Sequence, residues 1–316
     1  MMKLLTMFKK SLRVAGGKKI AKKSKFMFVI SIFATIIFFL LVVVNQNEID
    51  DKKEKNIEIF QSWQYEFIDY QKVHQLSKGT GQKIALIDSG ISSNDKAIDS
   101  ISLIGQNMID ENGHGSMMYS LIKGVPNKLI GISPGVSIIS IKVMGADGAI
   151  SSQLIAKAIE KAKNQGATVI NLSIGSTKNN SDITRAINDS IKSGISVVAA
   201  AGDYDSDKMM FPANLSNVIS VGAIDKNSQI LSLVSGKNKA VINAPGSDVM
   251  VQGVANKIFQ SSGTSQATAL VSGYVSLLRE RAVSSHKILT NQQLIQILKS
   301  INDKEESYYS ALEKLK

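Results

Sequence analysis

Three residues of this chain pair a reactive side chain with a turn that would expose it. They are Asp88 in KIALIDSGI, His114 in NGHGS and Ser265 in SSGTSQATALVSG. An aspartate can orient an imidazole, an imidazole can take a proton, and a serine hydroxyl relieved of its proton attacks a carbonyl. Each residue also has a plainer reading. Asp-Ser-Gly is ordinary turn chemistry, and a serine ahead of a helix is a common N-cap. His114 has glycines on both sides, which let another backbone come close. The other two histidines, His74 in KVHQL and His286 in SSHKI, lie in polar stretches and are expected on the solvated surface. Ser265 would open a helix, where free N–H groups and the helix dipole favour a developing negative charge. A further acid, Asp203, stands at the exit of the apolar run ISVVAAAG.

The elements that must position these residues follow from periodicity. KIALID, VSIISIKV, ATVINLSIG, ISVVAAAG and NVISVGAI are short apolar runs and read as strands. Between them, NGHGSMMYSLIKG, SSQLIAKAIEKAKNQG and SDITRAINDSIKSG have helical spacing, the last two with a serine or Ser-Asp start and a glycine stop. TSQATALVSGYVSLLRER and TNQQLIQILKSI read as two more helices. Strands apolar throughout, alternating with helices, imply a parallel sheet covered on both faces. In such folds ligands meet the carboxyl ends of the strands, where Asp88 and Asp203 both fall.

Composition narrows the classes. The chain has 316 residues, 44% of them hydrophobic, with 4 prolines and no cysteine. This is the profile of a folded domain, and it excludes disulfides and thiolate metal sites. The net charge of +11 is concentrated at one end: residues up to Lys25 carry nine Lys and Arg and no acid, leaving +2 for the other 291. A nearly neutral body argues against a nucleic-acid partner. Phe26 to Val44 follows, 19 residues without a charge, enough to cross most of a ~30 Å hydrocarbon layer. The cations on its N-terminal side keep that end cytoplasmic and place the body outside the cell. A cleaved signal peptide is the rival reading, but no A-x-A site follows the run. The expected organisation is a basic cytoplasmic segment at 1–25, a single-pass transmembrane signal anchor at 26–44, a polar spacer at 45–60 and a folded body at 61–316. The expected location is the cell membrane, and the expected state is a monomer.

Taken together, Asp88, His114 and Ser265 are far more specific than any one of them. They occur in the order Asp, His, Ser across a parallel α/β pattern. VMGADG, VINLSIGS, SVVAAAG, FPANLSNVISVGAID and NAPGSDV fall between and around them. From about Gln61 to Lys316 the chain resembles the subtilisin-like serine proteases. The resemblance implies a three-layer α/β fold with a mostly parallel central sheet and helices on both faces, here preceded by one transmembrane helix. It implies an endopeptidase in which Ser265 attacks, His114 is the general base and Asp88 orients the histidine. It implies a peptide or protein substrate held as an added strand between Gly148 with its neighbours and Ser173, Ile174 and Gly175.

The sequence departs from the family at several points. AAAGDYD puts Asp203 where the family has the asparagine that donates to the oxyanion, and an ionised carboxylate can only accept. A slow or acid-favouring protease is therefore expected, with a peptide-binding pseudoprotease as the alternative. Met210 stands where a glycine usually forms a wall of the main specificity pocket, so a small or slim side chain is expected there. Ala269, Ser116 and Tyr119 replace a proline, a threonine and a small residue. No cofactor is certain. Calcium is possible in this family, but the loop KGVPNKLIG offers only Asn127 as a side-chain oxygen, far short of six to eight ligands. About 16 residues separate the apolar run from the body, which leaves no room for a pro-domain of the usual size.

Overall fold

The apolar runs form the strands of one sheet. In chain order the strands are β1 (Lys83–Asp88), β2 (Asp99–Ser102), β3 (Gly124–Val125), β4 (Leu129–Ile130), β5 (Ser137–Lys142), β6 (Val169–Leu172), β7 (Ser196–Ala200), β8 (Ile219–Ile224), β9 (Ile242–Pro245), β10 (Val249–Gln252) and β11 (Ile258–Ser261). Seven of them lie in the order β2-β5-β1-β6-β7-β8-β9, and every pairing is parallel. The remaining four form two small antiparallel pairs, β3 with β4 and β10 with β11. The computed structural model describes residues 59–316, which form one unit. The basic segment, the proposed anchor at 26–44 and most of the spacer lie outside the described residues. Among the described residues no helix is long and apolar enough to cross a membrane.

The helices are α1 (Gln64–Ile68), α2 (Tyr70–Leu76), α3 (His114–Lys123), α4 (Ser152–Asn164), α5 (Ser181–Lys192), α6 (Thr264–Ser284), α7 (Asn291–Asn302) and α8 (Tyr308–Glu313). Alternation along β1 assigns them to layers. Ile84 and Leu86 join a core with Met118 and Ile122 of α3 and Leu270, Tyr274 and Leu277 of α6. Ala85 and Ile87 point the other way, into a core with Ile159 and Ala162 of α4 and Ile183 and Ile187 of α5. This is the three-layer α/β architecture expected from the apolar strands.

Some local expectations need correction. Helix α5 begins at Ser181, but its cap is Asn180, whose side chain accepts from the Asp182 and Ile183 amides. Ser151 precedes α4 without making a side-chain cap. The strands β2 and β9, both antiparallel pairs and the helices α1, α2 and α8 carried no usable signal. Strand β2 is the four residues DSIS, half-buried at the sheet edge, and neither apolar run nor alternation marks so short a polar edge.

Helix α6 is buried along most of its length, from Thr264 to Leu278 with Ser265 only partly covered. Small residues let it lie deep against the sheet. A Cβ on Gly273 would stand 2.2 Å from Cγ2 of the buried Ile132. Alanine is the better helix former by about 1 kcal/mol, but forcing a methyl into a packed core costs about 1–3 kcal/mol. At 2.2 Å the clash dominates. Gly273→Ala is expected to destabilise the protein by about 1–2 kcal/mol, seen as a lower urea midpoint; an unchanged or higher midpoint would refute this packing.

Candidate active site

Asp88 ends β1 at the carboxyl edge of the sheet and is fully buried. Its Oδ1 accepts from the Ser89 amide at 2.8 Å and from the Ser89 hydroxyl at 3.3 Å. Nδ1 of His114, the first residue of α3, lies 2.8 and 2.9 Å from its two oxygens. The carboxylate accepts the ring N–H there, which leaves Nε2 facing away from Asp88. The close approach of helix to turn requires glycine: a Cβ on Gly115 would stand 2.0 Å from the Gly90 carbonyl. The Gly115 amide donates to Ser89 Oγ at 2.9 Å and ties the helix start to the same turn.

Asp110 holds the loop that carries His114, and it was not singled out from sequence. Its buried carboxylate accepts from the Asn112, Gly113 and Ser116 amides at 3.0, 2.7 and 2.8 Å, and from the Ser116 hydroxyl at 2.7 Å. An acid just ahead of a helix start was the available signal. Lys142 adds a second tie: buried at the end of β5 in register with Asp88, it donates to the Ile109 carbonyl and to Glu111 at 2.6 and 2.9 Å. Burial pulls the His114 pKa down. The charge of Asp88 and its hydrogen bond, aided by Asp110 and Asp203, outweigh burial, so the pKa is raised.

Ser265 is the second residue of α6. Its hydroxyl donates to the Ser173 carbonyl at 3.2 Å, and the Ser173 hydroxyl donates to the Ser265 carbonyl at 3.1 Å. Behind this reciprocal pair, Asn171 Nδ2 donates to Ser173 Oγ at 3.1 Å and Ser272 Oγ donates to Asn171 Oδ1 at 2.9 Å. The chain of bonds locks the start of α6 to the exit of β6. A lone asparagine inside an apolar strand was its only trace in the sequence. Among the described residues no hydrogen bond joins Ser265 to His114; the hydroxyl rests on the Ser173 carbonyl.

Asp203 lies beside the same helix start. Its Oδ1 accepts from the Thr264 amide at 2.9 Å, and a Cβ on Gly263 would stand 3.0 Å from its Oδ2. The residue as a whole is exposed, but this carboxylate end is wedged against backbone. That local burial raises its pKa, against the pull of the Thr264 bonds and of nearby His114. The remaining histidines divide. His286 is exposed. His74 is not on the solvated surface as expected: it is half-buried and its Nε2 lies 3.0 Å from the Ile132 carbonyl, because α2 packs down beside that strand exit.

Residues 79–307 match the subtilase family. The chain belongs to that family. Similar proteins include the thermostable alkaline protease of Halalkalibacterium halodurans, 33% identical over 254 residues that cover 77% of this chain and 69% of that one. Thermitase of Thermoactinomyces vulgaris is 32% identical over 241 residues, 72% of this chain and 86% of its own. Subtilisin BL of Lederbergia lenta is 32% identical over 209 residues, 64% and 78% of the two chains. This subtilase is a serine-type endopeptidase, and its substrate is a peptide or protein.

Within the subtilase, Gly148 lies in the loop after β5 and Ser173, Ile174 and Gly175 follow β6; these two strands flank β1. Asn112, beside His114, donates to the Ala146 carbonyl at 3.3 Å and links the first loop to the histidine. A cavity of about 190 Å³ opens between the two segments, walled by Ile150, Ile155, Leu172, Ile174 and Phe211. The segment around Asn127 closes as the tight β3–β4 hairpin, with Asn127 exposed at its turn and φ of 61°. Tyr119 uses its bulk behind the site: its hydroxyl donates to the Lys96 carbonyl at 3.2 Å and accepts from the Lys96 amide at 3.1 Å.

That loop carries a half-buried acid. Asp95 Oδ2 has no hydrogen-bond partner, and burial pushes its pKa up to about 6. A carboxylate raised in the folded state destabilises the fold once pH exceeds the unfolded value, and the cost is complete above the folded value. The gap sets an upper bound of about 3 kcal/mol, and solvent reaching this partly exposed group reduces it to about 1–2 kcal/mol. Asp95→Asn is therefore expected to stabilise the protein by about 1–2 kcal/mol above pH 6 and by little below pH 4. Equal unfolding midpoints for both proteins at pH 7.5 would remove Asp95 as a strained group.

Proposed function

We propose that this endopeptidase hydrolyses peptide bonds with Ser265 as nucleophile, His114 as general base and Asp88 as its orienting carboxylate. We further propose that it performs limited processing of an exported peptide or surface protein while tethered to the membrane. The observation that carries the catalytic reading is the buried Asp88 holding His114 Nδ1 at 2.8 Å, at the same sheet edge that receives the Ser265 end of α6. In this reading the hydroxyl leaves the Ser173 carbonyl when substrate binds and turns to His114 Nε2. His114 takes its proton as Oγ bonds to the carbonyl carbon, then returns it to the leaving amine; water reverses the sequence on the acyl-enzyme. Substrate lies as a strand between Gly148 and Ser173–Gly175. No step runs through calcium or another cofactor.

The developing oxyanion would meet the backbone N–H groups opening α6 on one side and Asp203 on the other. Two ionisation requirements then oppose each other. His114 must be neutral, yet the charge of Asp88 and its hydrogen bond outweigh burial and raise its pKa; Asp203 must be protonated to donate, and burial raises its pKa. High pH favours the neutral imidazole and low pH the protonated carboxyl, so the two demands pull against each other, which suits slow, selective processing. The same conflict favours one second reading, a pseudoprotease that binds peptides in the cleft.

Both readings are separable on the full-length chain in detergent, followed by peptide-library cleavage and mass spectrometry from roughly pH 4 to 9. The wild type is expected to give a low bell-shaped profile, rising as His114 loses its proton and falling as Asp203 loses its own. Asp203→Asn removes the falling limb and is expected to cleave about 100-fold faster at pH 8, with the gap closing in acid. Removing an oxyanion donor costs about 100- to 1000-fold in kcat, a figure measured on a subtilisin. Wild-type cleavage no greater than that of folded Ser265→Ala at every pH would hand the site to the peptide-binding reading.

The tether rests on the 19 uncharged residues behind nine cations. The full-length chain is expected to stay with membranes through alkaline carbonate and to leave them only in detergent. Recovery in the carbonate-soluble fraction would overturn the anchor.

A further inference from the structure

The niche in front of α6 is bordered by a second polar side chain besides Asp203. Gly263, the residue ahead of the helix, has no side chain to fill it. A Cβ there would stand 3.0 Å from Asp203 Oδ2 and 3.0 Å from Gln266 Oε1. Gln266 follows Ser265 directly in the first turn of α6 and is only 4% exposed. Burial alone would favour an apolar side chain at this position, because a buried amide without bonds is costly. One end of the carboxamide is bonded: Nε2 donates to the hydroxyl of Ser261, the last residue of β11, at 2.8 Å. The other end, Oε1, has no hydrogen-bond donor among the described residues and borders the niche.

The carboxamide can present its donor there instead. Its last torsion is soft and nearly two-fold, and a serine hydroxyl donates as readily as it accepts. A half-turn places Oε1 on the Ser261 hydroxyl and Nε2 in the niche, with no bond lost. It also sets a donor, not a second acceptor, beside the Asp203 carboxylate. The backbone around the niche is already held. Asp203 Oδ1 accepts from the Thr264 amide at 2.9 Å, and the Ser173 hydroxyl donates to the Ser265 carbonyl at 3.1 Å.

We infer that Gln266 is a further catalytic residue of this endopeptidase: its Nε2 donates to the oxyanion that forms when Ser265 Oγ bonds to the scissile carbonyl carbon. It supplies the donor that an ionised Asp203 lacks. Nε2 carries two hydrogens, one for Asp203 Oδ2 and one for the oxyanion. The inference rests on Ser265 being the nucleophile.

The test measures kcat and KM at pH 8 on full-length protein in detergent, using the library peptide that Asp203→Asn cuts fastest. Gln266→Met keeps the size of the side chain and removes the donor. In the wild-type background it is expected to lower kcat about 100-fold with KM within about twofold. In the Asp203→Asn background the asparagine amide takes over, and the loss is expected to stay below about 10-fold. An unchanged kcat, an equal loss in both backgrounds or a loss carried by KM overturns the inference and leaves the catalytic reading intact. So does a wild type no faster than Ser265→Ala when Asp203→Asn cuts, because no donor then works beside Asp203. If Gln266→Met does not fold, Gln266→Glu, which keeps the shape and only accepts when ionised, decides by the same comparison. If neither the wild type nor Asp203→Asn exceeds Ser265→Ala, the catalytic reading falls and the inference with it.

Discussion

The site is organised around a carboxylate taken out of water. A fully buried Asp88 is costly unless every face of it is bonded, and the surrounding residues meet that demand. Ser89 supplies an amide and a hydroxyl, and His114 supplies a ring N–H. The demand propagates outward. His114 reaches Asp88 because α3 presses on the Gly90 turn, which only a glycine at 115 permits. Helix α3 starts where it does because Asp110 binds the amides of the loop before it. Lys142, in register with Asp88 on the next strand, draws that loop down to the sheet edge.

Helix α6 is the second half of the construction. A helix buried on nearly all sides must be lined with small or apolar residues, and Ala267, Ala269, Ser272, Gly273 and Ser276 meet that need. Its depth sets the height of Ser265 above the sheet, and the Ser272–Asn171–Ser173 chain of hydrogen bonds sets its rotation. The polar atoms in this buried layer are bonded to one another, as a low-dielectric layer requires.

Electrostatics then pull the site in two directions. The acids that steady His114 also hold its proton on, and Asp203 is one of them. In the proposed mechanism, the residue beside the place where negative charge would develop is itself a source of negative charge. In that mechanism a neutral asparagine amide at position 203 would carry neither penalty, so an aspartate there would reshape the pH response of the whole site rather than one contact.

Much of this was legible in the amino-acid order. Apolar strands alternating with amphipathic helices dictate a covered parallel sheet, and the glycine-bearing turns mark Asp88, His114 and Ser265 as residues at its carboxyl edge. Periodicity carries this because burial on both faces leaves no room for polar positions. What it does not carry is any contact between residues far apart in the chain that leaves no local pattern. Asp110 as a loop anchor, Asn171 as a bridge to α6 and the half-buried His74 are of that kind. So is the partner chosen by the Ser265 hydroxyl, because two acceptors compete for one proton and only the packing of α6 against β6 decides between them. The identity of Met210 was plain in the sequence. That its stem, held by a hydrogen bond to Ala201, packs against both Gly175 and Gly202 is decided by how the segments after β6 and β7 come together, a proximity that exists only in the folded chain.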